Sequence, residues 1–262
     1  MSSRTVNLRL HILVAEDNPV NQKLAISILE KAGHQVTLAH NGLEAVRRWN
    51  ELQFDIVLMD VQMPEMDGLE ATRQIRSAEE AMGKHTPIIA LTAHVMSGDR
   101  KRCFAAGMDD YISKPFQKQQ LLSAVERLSQ PEQSAATRHP IQQTSIATVI
   151  DSSELLSRVD GDRELLGELI DAFLSESQPL LAALTDAVRK NEPAQLERDA
   201  HKLKGSISVF GAHDAVTVAQ ALESMGKEGN LQAAEQGLRQ LEARLIEVEA
   251  ALSELRETCP RS

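Results

Sequence analysis

The chain has 262 residues, enough for one large or two modest domains, and its 42% hydrophobic and 25% charged content is that of an ordinary globular protein. A formal net charge of −10 argues against a nucleic-acid partner, which needs a positive footprint. Aromatics at 3% leave a core that must be mostly aliphatic.

No apolar run is long enough to span a bilayer, and the N-terminus lacks the apolar stretch of a secretory signal. Cys103 and Cys259 sit in no metal-ligand spacing and suggest no disulfide framework, so both read as free thiols in a reducing compartment. The expectation is a soluble, cytoplasmic chain with no membrane segment.

The first half alternates short apolar runs with amphipathic stretches. Leu10–Val14 predicts a strand followed at once by Glu16 and Asp17. Asn18 and Pro19 predict a helix cap and first turn, Leu24, Ile28 and Leu29 an apolar helix face, and Gly33 its end. Val36–Ala39 predicts a second strand and Gly42–Trp49 a helix. Ile56–Met59 predicts a third strand running into Asp60, Pro87–Leu91 a fourth running into Thr92, and Tyr111–Ser113 a fifth running into Lys114-Pro115. Leu121, Leu122, Val125 and Leu128 mark a closing helix. Such alternation predicts a five-stranded, doubly wound parallel sheet with helices on both faces.

The run Gln130–Ala147 is polar, contains proline and has no periodicity, which marks residues 130–149 as a flexible linker. Beyond it the chain is helical. Asp151 with Glu154 forms a capping-box-like start. Leu166, Leu169, Ile170, Phe173, Leu181, Leu184 and Val188 share one helical face. Asn191 and Pro193 make a turn, Gly211–Asp214 another, and Gly229-Asn230 start the last helix, whose leucines recur at steps of three and four. Four amphipathic helices with short connections predict an antiparallel bundle.

In a doubly wound sheet the loops at the carboxyl ends of the strands form the ligand crevice. Glu16, Asp17, Asp60, Thr92 and Lys114 all fall there. Clustered carboxylates repel one another, and a hard divalent cation such as Mg²⁺ relieves that penalty. Asp60 beside such an ion can attack phosphorus and form an acyl phosphate, with the Thr92 hydroxyl and Lys114 ammonium stabilising charge. Singly, each residue has a plainer explanation: acids favour a helix N-terminus, a threonine caps a helix, a lysine is solvated. Met63, Pro64, Met66 and Gly68 read as packing and turn residues that shape the loop beside Asp60.

The segments ILVAEDNPVNQ, DIVLMDVQMPEMDGLEATRQIR, IIALTAH and DDYISKPF resemble the receiver domain of two-component response regulators, most of all receivers of hybrid sensor histidine kinases. The resemblance covers residues 8–129. It implies a flavodoxin-like fold and a Mg²⁺ site of Glu16, Asp17, Asp60 and the backbone carbonyl of Gln62, with Asp60 as phosphoacceptor. It further implies Thr92 and Lys114 on the phosphoryl oxygens, a cis bond before Pro115, and Tyr111 as an aromatic rotamer switch. His94 and Gln62 match positions that tune hydrolysis.

In the second half His201 stands apart from the other histidines. Leu196, Ala200, Leu203, Ile207 and Phe210 gather on one helical face, and at about 100° per residue His201 points roughly 150° from its centre, toward solvent. Arg198 and Lys204 lie three residues to either side and would attract phosphate. Gly205, inside a helix, asks for an explanation such as clearance for another domain. A solvated basic patch with an incidental glycine is the plainer account, and His213 reads as a polar surface residue.

AHKLKGS followed by FGA resembles the histidine-phosphotransfer domain over residues 150–257. That implies a four-helix bundle with His201 as phosphoacceptor, supported by Lys204 and Gly205. Together the two resemblances imply a phosphorelay whose partners are a sensor histidine kinase and a downstream response regulator. They fit the C-terminal part of a hybrid kinase, the cytoplasmic portion of a membrane-bound sensor, or a stand-alone relay protein. No nucleotide-binding motif accompanies them, so autophosphorylation from ATP is not expected. A docking scaffold without chemistry and a Mg²⁺-dependent phosphatase are the competing readings.

Overall fold

The structure is a computed structural model that describes residues 9–93, 97–129, 149–150 and 152–259. The linker at 130–148, the Asp151 cap and His94 lie outside the described residues. The chain divides into two compact units.

The N-terminal unit has five strands, β1 (His11–Ala15), β2 (Gln35–Ala39), β3 (Ile56–Asp60), β4 (Ile88–Thr92) and β5 (Asp110–Ser113). They form one sheet in the order β2-β1-β3-β4-β5, with every pairing parallel. The helices between and after them are α1 (Pro19–Lys31), α2 (Gly42–Glu51), α3 (Gly68–Met82), α4 (Ser97–Ala106) and α5 (Lys118–Ser129). β1, β3 and β4 are near-continuous apolar runs because helices cover both faces. One face packs Leu13, Ala15, Val57, Met59 and Ala90 against Trp49 of α2, Leu69 and Ile75 of α3 and Cys103 of α4. The alternate residues Ile12, Val14, Leu58, Ile89 and Leu91 point the other way and are equally buried.

Two turns explain why the helices start where they do. The Asn18 side chain accepts the amides of Val20 (3.0 Å) and Asn21 (3.1 Å), with Pro19 at the first helical position. Asp67 caps α3 by accepting the Glu70 amide at 2.7 Å. At the amino-terminal end of β4 lies a partly buried ion cluster. Arg76 pairs with Glu79 and with Asp109 (2.7 Å), and Asp109 in turn accepts the Ile88 amide at 2.7 Å.

The C-terminal unit opens with the short α6 (Ser152–Arg158), followed by α7 (Arg163–Lys190), α8 (Pro193–Val209), α9 (His213–Glu228) and α10 (Ala234–Glu257). α7 packs on α8 and α10, and α9 packs on the same two, which closes a four-helix bundle. The core is aliphatic with a Phe173–Phe210 pair at 5.1 Å. Helix α7 continues through Pro179. It ends at Asn191 in the left-handed conformation (φ 57°), where Asn is tolerated, and Pro193 starts α8.

Two expectations shift. The seam of α7 buries Ala187 where Val188 was expected, Val188 being half-buried. The last helix begins at Ala234, because Gly229 takes a positive φ as the cap of α9 and the Asn230 side chain accepts the Gln232 amide, holding the chain in a turn. Arg158, buried on α6, donates to the carbonyls of Ser208 (2.6 Å) and Val209 (2.9 Å), placing a cation at the negative end of α8.

Candidate phosphotransfer sites

The first site lies at the carboxyl edge of the sheet. β1 delivers Glu16 and Asp17, and β3 ends in Asp60, its neighbour across the β1–β3 pairing. β4 ends in Thr92, and the Lys114 amide donates to the Thr92 carbonyl at 2.7 Å, fixing the chain after β5. One oxygen each from Glu16, Asp17 and Asp60 lies within 4.8 Å of the others. Glu16, Asp60 and Thr92 are buried. The Lys114 ammonium sits 2.6 Å from Glu16 Oε2 and 2.6 Å from Asp60 Oδ2, bridging the two. Pro115 is joined to Lys114 through a cis bond. Gln62 is exposed, and its amide donates to Asp60 Oδ1 at 3.3 Å.

The electrostatics state what is missing. Burial, then the Asp60 charge, push Glu16 up to about 8, against the pull of Lys114. Lys114 is buried too, but Asp60 and Glu16 outweigh that and hold its pKa above the ordinary value. Glu16 and Asp60 share the Lys114 ammonium, and Asp17 brings a third carboxylate close to them. A hard divalent cation with oxygen ligands fits that donor set.

Glycines build the pocket from behind. A Cβ at Gly68 would lie 2.0 Å from the Asp60 carbonyl oxygen, and the Gly68 amide donates to the Val61 carbonyl at 3.0 Å. Only glycine lets α3 start against the backbone of Asp60. Gly68 therefore does more than turn the chain, whereas Met63 and Met66 pack on the core as expected. Tyr111 is half-buried beside Phe104 at 6.3 Å, and the Arg100 guanidinium stands 5.2 Å from its ring centroid.

The second site is on the bundle, and here the structure corrects the sequence. His201 does not stand out into solvent. Its side chain is 18% exposed, and Nδ1 lies 2.7 Å from Glu223 Oε1 on α9. Helix α8 has two neighbours, α7 and α9, so the direction away from one is partly toward the other. Lys204 likewise does not reach outward. It is buried, with Nζ 2.5 Å from Glu223 Oε2 and 2.9 Å from Gln220 Oε1. Arg198 is exposed and donates to Gln195 at 2.5 Å. Gly205 lies on α8, one turn after His201. His213 is exposed, as expected.

Glu223 is the functional residue that sequence reasoning missed. Burial alone would raise its pKa, but hydrogen bonds and charge from His201 and Lys204 prevail and bring it to about 2. An ionised carboxylate can only accept, so the proton of a neutral His201 ring sits on Nδ1 and the lone pair on Nε2. The acid was detectable in principle, because Ala219, Leu222, Glu223 and Gly226 form one buried stripe of α9. A carboxylate in such a stripe needs a cationic partner. Gly226 makes the approach possible, since a Cβ there would lie 2.5 Å from the Glu197 amide nitrogen on α8.

Comparison with known proteins agrees with both halves. Residues 12–126 match the response regulator receiver domain and residues 168–257 the Hpt domain. The sensor protein GacS of Pseudomonas syringae pv. syringae is 31% identical over 248 residues, covering 91% of this chain and 27% of that protein. The signal transduction histidine-protein kinase BarA of Escherichia coli is 29% identical over 227 residues, covering 85% of this chain and 24% of that protein. This chain thus spans about a quarter of either relative. A solved receiver domain of a sensor histidine kinase from Pseudomonas aeruginosa, with magnesium in its active-site cleft, is 43% identical (TM-score 0.43), covering 47% of this chain and 98% of that one. Among the described residues no helix is long and apolar enough to cross a membrane. The chain carries a response regulator receiver domain followed by an Hpt domain.

Proposed function

We propose that Asp60 accepts a phosphoryl group from a phosphohistidine of a sensor kinase, and that His201 exchanges one with the aspartate of a receiver, this chain's own or that of a separate response regulator. The receiver chemistry is assigned to residues 8–129, the histidine-phosphotransfer bundle to 150–257, and the linker to 130–149. The reading is carried by one observation: the Lys114 ammonium is shared at 2.6 Å by Glu16 and Asp60, with Asp17 as a third carboxylate beside them.

Mg²⁺ held by Glu16, Asp17, Asp60 and the Gln62 carbonyl would neutralise charge on the incoming phosphoryl group. An Asp60 oxygen forms the new P–O bond as the donor's P–N bond breaks, and the donor imidazole leaves with the bonding pair. Lys114 and Thr92 stabilise charge on the phosphoryl oxygens. In the next step Nε2 of His201 forms a P–N bond and the Asp60 carboxylate is regenerated. No proton moves at His201, because Nδ1 already carries one and Glu223 stabilises the resulting cation. Lys204 holds Glu223 in place, Gly205 keeps the helix free of a side chain one turn from the ring, Arg198 adds positive charge nearby, and Tyr111 reports the state of the pocket. Two free cysteines fit a reducing, cytoplasmic setting.

Radiolabelled phosphorylated kinase, mixed with the wild type in Mg²⁺, tests this. Label should appear both as base-labile acyl phosphate and as acid-labile phosphoimidazole. Asp60→Asn should abolish both, and His201→Gln only the second. A wild type that takes no label supports a docking scaffold, and steady phosphate release from a small ester supports a phosphatase.

A further inference from the structure

The loop between β3 and α3 carries the Gln62 carbonyl, and it is held from outside by the turn before α2. Asn41 uses both ends of its amide. Oδ1 caps α2 by accepting the Glu44 amide at 2.7 Å, and Nδ2 donates to Glu65 Oε1 at 2.8 Å. The next residue, Gly42, donates its amide to the Met66 carbonyl at 3.0 Å. A Cβ at Gly42 would lie 2.5 Å from that same oxygen, so the two backbones are in direct contact. Glu65 itself has φ 64°, a conformation that a residue with a side chain adopts at a cost. The Met66 amide donates to the Pro64 carbonyl at 2.7 Å, making the segment a tight turn.

The loop is thus clamped at its carboxyl end by Gly68 against Asp60 and at its apex by Asn41 and Gly42. An apex with an unfavourable backbone conformation stays in place only while its surroundings fix it. Asn41 belongs to none of the groups that meet the phosphoryl group or the ion, yet it decides where the segment containing Gln62 sits. We infer that Asn41 is a positioning residue for the divalent-cation site, acting through its hydrogen bond to Glu65. This rests on the reading of Glu16, Asp17, Asp60 and Gln62 as the Mg²⁺ site.

The test separates the two ideas by titrating the full chain with Mg²⁺ in a calorimeter, with no phosphoryl donor present. Asn41→Asp keeps the cap on α2 but sets a carboxylate against the Glu65 carboxylate. Mg²⁺ affinity should fall roughly tenfold, as for loss of a group that orients a metal ligand. The added negative charge by itself would tighten binding, so the sign of the change is diagnostic. Adding Glu65→Gln restores a donor–acceptor pair with reversed polarity, and the double variant should recover wild-type affinity. Circular dichroism of each variant should match the wild type. Unchanged or tighter binding by Asn41→Asp overturns the inference, as does failure of the double variant to recover. A wild type that binds no Mg²⁺ overturns the metal site itself, and the inference with it.

Discussion

Each unit sets a buried glutamate against a lysine, and the two glutamates respond in opposite directions. Glu16 is driven up to about 8 and Glu223 down to about 2. The difference is one of stoichiometry. In the receiver, Glu16 and Asp60 share the ammonium of Lys114, with a third carboxylate, Asp17, close by. In the bundle, one carboxylate serves both His201 and Lys204. The first pocket concentrates acidic charge, which an added cation would relieve. The second carries its own counter-charge and can present an oriented imidazole without an ion. A receiver switched by an added group and a bundle that only hands one on have the electrostatics suited to each task.

Substituting the two acceptors gives the largest effects: Asp60→Asn and His201→Gln should each reduce labelling at their own site to background while circular dichroism is unchanged. Chelating Mg²⁺ probes the contrast more directly. Loading of Asp60 from acetyl phosphate should fall roughly 100-fold, equivalent to about 2.7 kcal/mol in the barrier. Loading of His201 from phosphoramidate should not change, and equal sensitivity at the two sites would erase the distinction. Gly68→Ala should cost the receiver about 2 kcal/mol in urea unfolding, because the new methyl meets the Asp60 carbonyl, while the bundle transition stays put.

Glu223→Gln should slow phosphoryl transfer through His201 roughly tenfold. It should also flatten the pH profile of that step, since a neutral amide no longer stabilises the ring cation. Smallest is the acid response of the bundle. Glu223 is depressed in the folded state, so its contribution is full above the unfolded value near 4.5 and is lost as pH falls toward about 2. Thermal melts across that window should show an acid-dependent destabilisation that Glu223→Gln lacks.

The receiver was readable because its chemistry sits where local patterns end. Apolar runs stop at Asp60, Thr92 and Ser113, and the convergence of loops at the carboxyl edge of a parallel sheet brings Asp60, Thr92 and Lys114 to one crevice. Helices α3 and α4 were harder, the first because its Asp67 cap lies inside a stretch read as loop, the second because SGDRKRCFAA has almost no amphipathic signal. The Arg76–Glu79–Asp109 cluster was invisible, since Asp109 joins the Arg76–Glu79 pair of α3 only once the sheet has formed. In the bundle the helices and His201 were legible, but its surroundings were not. Counting 100° per residue assigns a helix one core direction, whereas α8 leans on two neighbours. The partner of His201 lies 22 residues away on the other arm of a helical hairpin, beyond the reach of any single-helix projection.

Position 226 has no side chain, and that absence lets the helix carrying Glu223 lie close against the helix carrying His201. With Gly226 lying against the Glu197 backbone, the spacing of α8 and α9 is fixed by main-chain atoms, which cannot change rotamer. The bond between His201 and Glu223 therefore depends on a place where no functional group exists. A methyl there would wedge the hairpin open and loosen the tautomer of His201 without touching either residue.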